Sequence, residues 1–220
     1  MPSGVFQRTL DGATYAMIPE DLDIMARALY GEEGSHPSEL AASATLWTWM
    51  NRFMLHPKRD KHWRYFYELI QDHSQPVNPL WRRNGKKCLS AKYKNTDHCS
   101  ESRLKRRDMI ADWSYDEIPA GCRQWAEAMY AGLLPQLLDN TLVDFATNKV
   151  AKTYGTQYIP GGQWYLNKTQ TIEAGLMKTW LPGNVVIEST GSVGGGQGLG
   201  IALATGAWIL LTGWAITRLI

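Results

Sequence analysis

The chain has 220 residues, of which 44% are hydrophobic and 11% aromatic, and this is enough apolar surface to exclude a chain that is disordered throughout. Three cysteines exclude a framework in which every cysteine pairs within the chain. The net charge of +2 conceals a basic block at residues 56–107, with 14 basic side chains against 5 acidic ones. This block suits an acidic polymer or anionic lipid head groups, and a solvated surface is the simpler alternative.

A first helix is predicted by apolar residues at helical spacing. It begins near Pro19, with acidic residues in its first turn, where they suit the positive end of the helix dipole. It ends at the Gly-Glu-Glu-Gly sequence of residues 31–34. The apolar stripe of this helix is Ile18, Leu22, Met25 and Leu29.

A second helix is predicted after a short turn. Pro37 suits its first position, and Ser35 or His36 suits the capping position. The two helices then form a hairpin with Glu32 and Glu33 at its tip. The inward stripe of the second helix is predicted at Leu40, Ala44, Trp47, Met50 and Met54.

The rest of the folded part is also predicted to be largely helical. A third helix around 62–72 leads into a proline-broken loop at 73–81, and two later helices cover 101–113 and 120–134. The stretch 140–187 is richer in Gly, Thr and Tyr, which predicts a short hairpin or irregular loops.

The end of the sequence predicts a membrane anchor. Residues 199–217 form an apolar run without charge, and a helix of this length rises about 28 Å, enough to cross a hydrocarbon core. A buried core helix is the alternative. Residues 189–198 are rich in Gly and Ser and predict a flexible linker. The predicted fold class is therefore a mainly α, α+β soluble domain at 1–188 followed by one C-terminal transmembrane helix.

Glu32 and Glu33 have an unusual position for acidic residues. The C-terminal end of a helix carries partial negative charge, which disfavours a carboxylate there. A carboxyl group at this end, beside a second one and shielded by aromatic neighbours, has a raised pKa and can donate a proton near neutral pH. Cleavage of a glycosidic bond needs such an acid at the leaving oxygen. A solvated turn is the alternative interpretation.

The run IMARALYGEEGSHPSELAASATLWTWMNRF at residues 24–53 resembles the opening of SleB-type cell-wall hydrolases, the spore-cortex and phage peptidoglycan lysins. Residues 67–81 and 142–167 are similar to later segments of that family. The second glutamate of the family pattern, which follows Arg-Gly, has no counterpart here. The matching positions are Ala26, Arg27, Leu29, Tyr30, Gly31 and Glu32, with Asn51 and Arg52 closing the second helix.

This resemblance implies a lysozyme-related fold and a lytic transglycosylase or muramidase activity on the MurNAc–GlcNAc bond. It identifies Glu32 as the catalytic acid, gives Glu33 a supporting role, and implies no metal or other cofactor. The same resemblance places three residues along the glycan cleft: Gln75, Asn78 and Trp81.

Two tyrosines are further candidates for binding the substrate. Tyr30 and Tyr165 each carry a ring that can stack on a sugar. Core packing is the alternative for both tyrosines and for Trp81, as turn formation is for Gln75 and Asn78. Cys88 and Cys99 do not have zinc-finger spacing, so no metal site is predicted from them.

The anchor, the size and the resemblance together predict a phage virion protein that acts next in the host cell envelope, facing the periplasm. Release through a membrane lesion late in lysis is the alternative setting. The predicted partners are peptidoglycan glycan strands, the membrane through the C-terminal helix and other virion or ejection proteins, with nucleic acid secondary. The alternative function is a noncatalytic membrane or conduit protein of a virion, in which the basic block guides nucleic acid.

Overall fold

The chain has a mixed α+β fold, which confirms the predicted class in outline. Five α-helices and eight short strands are found among the described residues. One continuous core joins all five described helices with residues from the first, second, fifth and eighth strands. The computed structural model describes residues 2–56, 63–74, 76–78, 83–84, 87–88, 101–138, 140–146, 157–159, 163–167 and 187–193.

Three of the helices lie in the first third of the chain, and the other two lie between residues 101 and 130. A single 3-10 turn, Tyr115–Glu117, precedes the last helix. The helices are α1 Pro19–Glu33, α2 Glu39–Leu55, α3 Phe66–His73, α4 Glu101–Asp112 and α5 Ala120–Tyr130.

The strands form three small antiparallel sheets with the orders β2-β1-β8, β3-β4 and β5-β7-β6. The first sheet pairs the start of the described chain with its end, since Ser3 lies opposite Val193. The strands are β1 Ser3–Arg8, β2 Thr14–Ala16, β3 Arg83–Asn84, β4 Lys87–Cys88, β5 Leu142–Ala146, β6 Gln157–Ile159, β7 Gln163–Asn167 and β8 Ile187–Val193.

The predicted helical hairpin is confirmed by α1 and α2, but its capping residue is corrected. Ser38, rather than Ser35 or His36, caps α2, and its Oγ accepts a hydrogen bond from the Ala41 N–H at 3.2 Å. Pro37 therefore precedes the cap instead of opening the helix. Gly34 ends α1 with a φ of +84°, a left-handed value that favours glycine.

Helix α2 lies at the centre of the fold. Every residue from Ala41 to Leu55 is buried, because α1, α3, α5 and β5 pack around this helix. Four of its five predicted inward residues are buried, whereas Leu40 is 38% exposed in the first turn. A helix covered on all sides has no single inward stripe. The five predicted residues therefore include only part of the buried surface of α2.

The later elements are of the predicted types, but their ends differ from the predicted ones. Helix α5 ends at Tyr130 instead of residue 134, and the hairpin predicted within 140–187 is present as β6 and β7. Strand β8 extends through Val193, so it occupies the first five residues of the predicted linker and moves the end of the folded part beyond residue 188. No described helix is long and apolar enough to span a membrane, and residues 199–217 lie outside the described part.

Candidate active site

Glu32 and Glu33 are the last two residues of α1, and they lie at the hairpin tip, defined here as residues 32–38. Helix α5 holds this tip in place through two of its side chains. The Cys122 thiol donates to the Gly34 carbonyl with 3.1 Å between sulfur and oxygen, and the Trp125 indole N–H donates to the Pro37 carbonyl at 3.1 Å. The two carboxyl groups therefore lie on a turn that is fixed at its backbone.

Glu32 contacts the loop that follows α3. The Ser74 hydroxyl donates to Glu32 Oε1 at 2.8 Å. The approach of this loop depends on Gly31, because a Cβ at that position would overlap the ring of Pro76. The glycine of the Gly-Glu-Glu-Gly sequence is thus needed for the loop to reach the neighbouring carboxyl group.

The environment of Glu32 favours its protonated form. Burial raises the pKa of Glu32 to about 7, and the neighbouring Glu33 carboxylate adds to the increase. The Ser74 hydroxyl and the Arg106 guanidinium act in the opposite direction but do not cancel it. An acid with a pKa near 7 is suited to donate a proton and to take one back at neutral pH.

Glu33 has its own set of contacts on α2 and β7. The Thr45 hydroxyl donates to Glu33 Oε1 at 2.7 Å, and the same hydroxyl lies 3.2 Å from the Tyr165 hydroxyl. Burial raises the pKa of Glu33, and the hydrogen bond from Thr45 opposes that increase. The two adjacent carboxyl groups therefore accept hydrogen bonds from different parts of the protein: Glu32 from the loop after α3, and Glu33 from α2.

Arg106 covers the carbonyl end of α1. Its Nη2 donates to the Tyr30 carbonyl at 3.2 Å, and its guanidinium carbon lies 5.2 Å from the centre of the Tyr30 ring. A cation at the negative end of a helix stabilises the unpaired carbonyls. The same side chain is exposed, so its positive charge faces both the helix end and the solvent.

Three of the motif residues connect elements of the fold. Arg27 forms an ion pair with Asp23 at 2.7 Å and donates to the Trp113 carbonyl beyond the end of α4. On α2, the Asn51 amide donates to the Leu142 carbonyl, and Arg52 forms an ion pair with Asp144, both of them on β5. These contacts are structural, and they hold α4 and β5 against the helical hairpin.

The five predicted substrate-binding residues have different positions. Asn78 is buried, and its amide donates to the Asp72 carbonyl at 3.1 Å, which holds the loop after α3. The Tyr30 ring packs 4.9 Å from the Trp113 ring and beside Arg106, an arrangement that favours the packing alternative. Gln75 and Trp81 lie outside the described residues.

Tyr165 requires a correction. Its side chain is 0% exposed, so it is not a platform on which a sugar can stack. It lies in strand β7, opposite Phe145 of β5, and its hydroxyl points to Thr45 of α2. Its position connects it to the Glu33 carboxyl group instead of to a surface cleft.

Sequence reasoning missed the three residues that act on the carboxyl groups from other elements: Ser74, Thr45 and Arg106. Only Ser74 left a usable signal, since a serine between a helix and a Gln-Pro dipeptide suits a helix end that turns sharply. Thr45 is one of several small residues in α2, and Arg106 is one of three consecutive basic residues. Nothing in these local patterns indicates which of them face Glu32 or Glu33.

The described residues bear on two further kinds of site, a metal site and a nucleic-acid surface. The described residues contain no group of three or more side chains placed to hold a metal ion. Of the basic block, α4 exposes Lys105 and Arg106 but buries Arg107. Acidic residues at both ends of α4, Glu101 and Asp112, interrupt its positive surface.

Comparisons of the chain with family models, curated proteins and solved structures find no match. The likeness to SleB-type hydrolases therefore rests on the sequence pattern of residues 24–53. The candidate active site is identified by the burial, the hydrogen bond and the raised pKa of Glu32.

Proposed function

We propose that this chain is a peptidoglycan-cleaving lytic transglycosylase or muramidase with Glu32 as its catalytic acid. The observation that supports this proposal is the position and the raised pKa of one carboxyl group, that of Glu32. Glu32 lies in the last turn of α1, is partly buried and has a pKa raised to about 7. The sequence around it is the segment that resembles the SleB-type pattern, in which the matching glutamate is the acid.

The chemistry needs only this group and the substrate. Protonated Glu32 gives its proton to the oxygen that bridges MurNAc C1 and GlcNAc C4, and the bond from C1 to that oxygen breaks. GlcNAc leaves with the proton as a free 4-hydroxyl. The Glu32 carboxylate then takes the proton of the muramoyl 6-hydroxyl as its oxygen bonds to C1. The product is a 1,6-anhydro ring, and Glu32 is protonated again.

Hydrolysis is the second course of the same reaction. If water attacks C1 in place of the 6-hydroxyl, Glu32 takes the proton from water and the product has a reducing end. Both courses use one acid that later acts as a base. A pKa near the working pH supports either of them, because both protonation states are then accessible.

The wider setting belongs to the same proposal. We place the catalytic domain in a lysozyme-related fold and its location in a phage virion, with the segment 199–217 as the membrane anchor. Delivery from outside during phage entry would bring the domain to the glycan strands of the host envelope. The helical hairpin with an acid at the end of its first helix supports the fold assignment.

The test uses the full chain, as wild type and as Glu32→Gln, on purified peptidoglycan, with mass spectrometry of the released fragments. We expect anhydromuropeptides from the wild type and a loss of about a thousandfold in Glu32→Gln, the scale of general acid catalysis. Reducing ends in place of anhydro ends would identify a muramidase.

The matched control is Glu39→Gln, because Glu39 is an exposed acid in the first turn of α2. This variant should retain the wild-type rate. A folded wild-type chain that releases no fragments would reject the enzyme and leave the noncatalytic conduit protein as the better explanation. Equal activity in wild type and Glu32→Gln would reject Glu32 as the acid.

A further inference from the structure

Three side chains from three different elements lie in a line that ends at the second carboxyl group. Tyr165 of β7 is 3.2 Å from Thr45 of α2, and Thr45 is 2.7 Å from Glu33 of α1. Tyr165 is fully buried, and Thr45 is also buried. Water therefore does not compete for these hydroxyl groups, and the direction of each hydrogen bond is set by the protein.

The direction follows from counting hydrogens. The Thr45 hydroxyl has one hydrogen, which it donates to Glu33 Oε1. Its oxygen must then accept the hydrogen of Tyr165. In the opposite direction, Glu33 would have to be protonated and Tyr165 would need an acceptor other than Thr45, which is the hydrogen-bond partner that the described residues place at its hydroxyl. The line is therefore Tyr165 to Thr45 to Glu33.

We propose that this directed line fixes the negative charge of the carboxyl pair on Glu33 and so leaves the proton on Glu32. Glu33 is a positioning residue in this arrangement, since it acts through its neighbour and not on the substrate. Two carboxyl groups that interact strongly lose their protons in two separate steps. The line determines which group loses its proton first. The importance of this order for catalysis rests on the proposed function.

The other groups near Glu32 oppose this distribution of charge. Arg106, which approaches from α4, favours the charged form of Glu32. The Ser74 hydroxyl, from the loop after α3, also donates to it. Tyr165 is held in its neutral, donating form, because burial and the nearby acids raise its pKa. Against Ser74 and Arg106, burial and the negative Glu33 raise the pKa of Glu32 to about 7.

The experiment follows both carboxyl groups by carbon-13 NMR in the full chain labelled at glutamate, with assignments from Glu32→Gln and Glu33→Gln. In the wild type we expect Glu33 to titrate at a lower pH than Glu32. Thr45→Val keeps the shape of the side chain and removes the donor, so Glu33 holds less charge. The titration midpoint of Glu32 should then fall by about one pH unit.

A second variant allows the inference to be tested even if Thr45→Val does not fold. Tyr165→Phe removes only the outer hydrogen bond, and it should shift the Glu32 midpoint in the same direction by a smaller amount. The matched control is Thr48→Val, one turn along α2, where the threonine is also buried. This control should leave both midpoints unchanged.

Activity gives the second readout. A Glu32 midpoint that is one unit lower should reduce kcat at pH 7 by about fivefold and leave kcat at pH 5 unchanged. A purely structural role for Thr45 would reduce both values. The inference is overturned if Glu32 loses its proton before Glu33, or if the midpoints do not move in either variant. If they move as expected and no peptidoglycan is cleaved, the charge arrangement stands and the proposed function fails.

Discussion

Asp21 and Glu32 lie near opposite ends of α1, and burial raises the pKa of both, to about 6 and about 7. Their hydrogen bonds differ. Asp21 accepts from the Tyr15 hydroxyl and from the backbone N–H groups of Ile18 and Tyr67, at 2.7 to 2.9 Å. Glu32 accepts from one donor among the described residues, Ser74. Asp21 also lies at the helix end that favours an acid, and Glu32 at the end that does not.

Burial and a raised pKa therefore do not by themselves identify a reactive acid. Asp21 joins β2, α1 and α3, and its carboxyl oxygens are already used by those elements. Glu32 keeps capacity for another partner. The number of hydrogen bonds already made separates a carboxyl group that holds the fold together from one that is available for chemistry.

The largest expected effect on stability is at the first of these acids. Asp21→Ala removes an acceptor used by two backbone N–H groups and by the Tyr15 hydroxyl, and should lower the free energy of unfolding by about 4 kcal/mol. Urea denaturation measures this loss. Glu20→Ala is the control, since Glu20 is exposed in the same turn and should change stability by less than about 0.5 kcal/mol. Equal losses in both variants would contradict a structural role specific to Asp21.

Gly31→Ala tests whether the close approach of the Ser74 loop to α1 brings the Ser74 hydroxyl to Glu32. On an open helix surface this change would stabilise by about 1 kcal/mol, but here the new Cβ meets Pro76. We expect a net loss of about 2 kcal/mol from overpacking, together with separation of Ser74 from Glu32. Denaturation and a crystal structure of the variant would measure the two effects. A variant as stable as the wild type would show that the loop does not depend on this close approach.

The pH dependence of stability gives an effect of similar size. Because the folded pKa of Glu32 lies above its ordinary value of 4.5, the folded chain holds a proton that the unfolded chain has lost between about pH 4.5 and 7. Stability therefore falls as the pH rises through that window. Asp21 contributes with the same sign from pH 3.8 to about 6.

Glu32→Gln removes the contribution of this one group. At pH 8 the variant should be more stable than the wild type by about 3 kcal/mol, and at pH 4 the two should be equal. Urea denaturation across this pH range measures the difference. A constant difference at every pH would mean that the carboxyl group does not titrate differently in the folded chain.

The smallest expected effect comes from the hydrogen bond between Ser74 and Glu32. Ser74→Ala removes a donor that favours the carboxylate, so the Glu32 midpoint should rise by about half a pH unit. This direction is opposite to that expected for Thr45→Val. Ser35→Ala is the control, because the Ser35 hydroxyl contacts the His36 ring nitrogen at 2.8 Å, whereas the Ser74 hydroxyl donates to Glu32. A fall in the midpoint would contradict the assigned donor.

The sequence predicts the helices of this fold well because their signals are local. The stripe of α1, its acidic first turn and Gly34 all lie within the helix or next to it. The N-terminal β1–β2 hairpin also left a local signal, the Asp11-Gly12 dipeptide, which was missed although Gly12 has a φ of +69° that suits such a turn.

Other features depend on residues far away in the chain. Ser35 and Ser38 are equally good caps by type, and the choice of Ser38 reflects contacts of α5 with Gly34 and Pro37. The burial of Tyr165 depends on its place in β7 beside β5 and α2. Of the candidate site, the paired acids at the end of α1 are visible in the sequence, whereas Ser74 and Arg106 lie 42 and 74 positions from Glu32 and needed the structure.

The pairing of β1 with β8 has a consequence for synthesis. Strand β1 is the middle strand of its sheet, so one of its edges stays open until residues 187–193 have been made. At about 5 to 20 residues per second, translation would leave that edge open for roughly ten to forty seconds. An open strand edge is a template for pairing with another chain. The nascent protein therefore depends on β8 to close a surface that β1 creates.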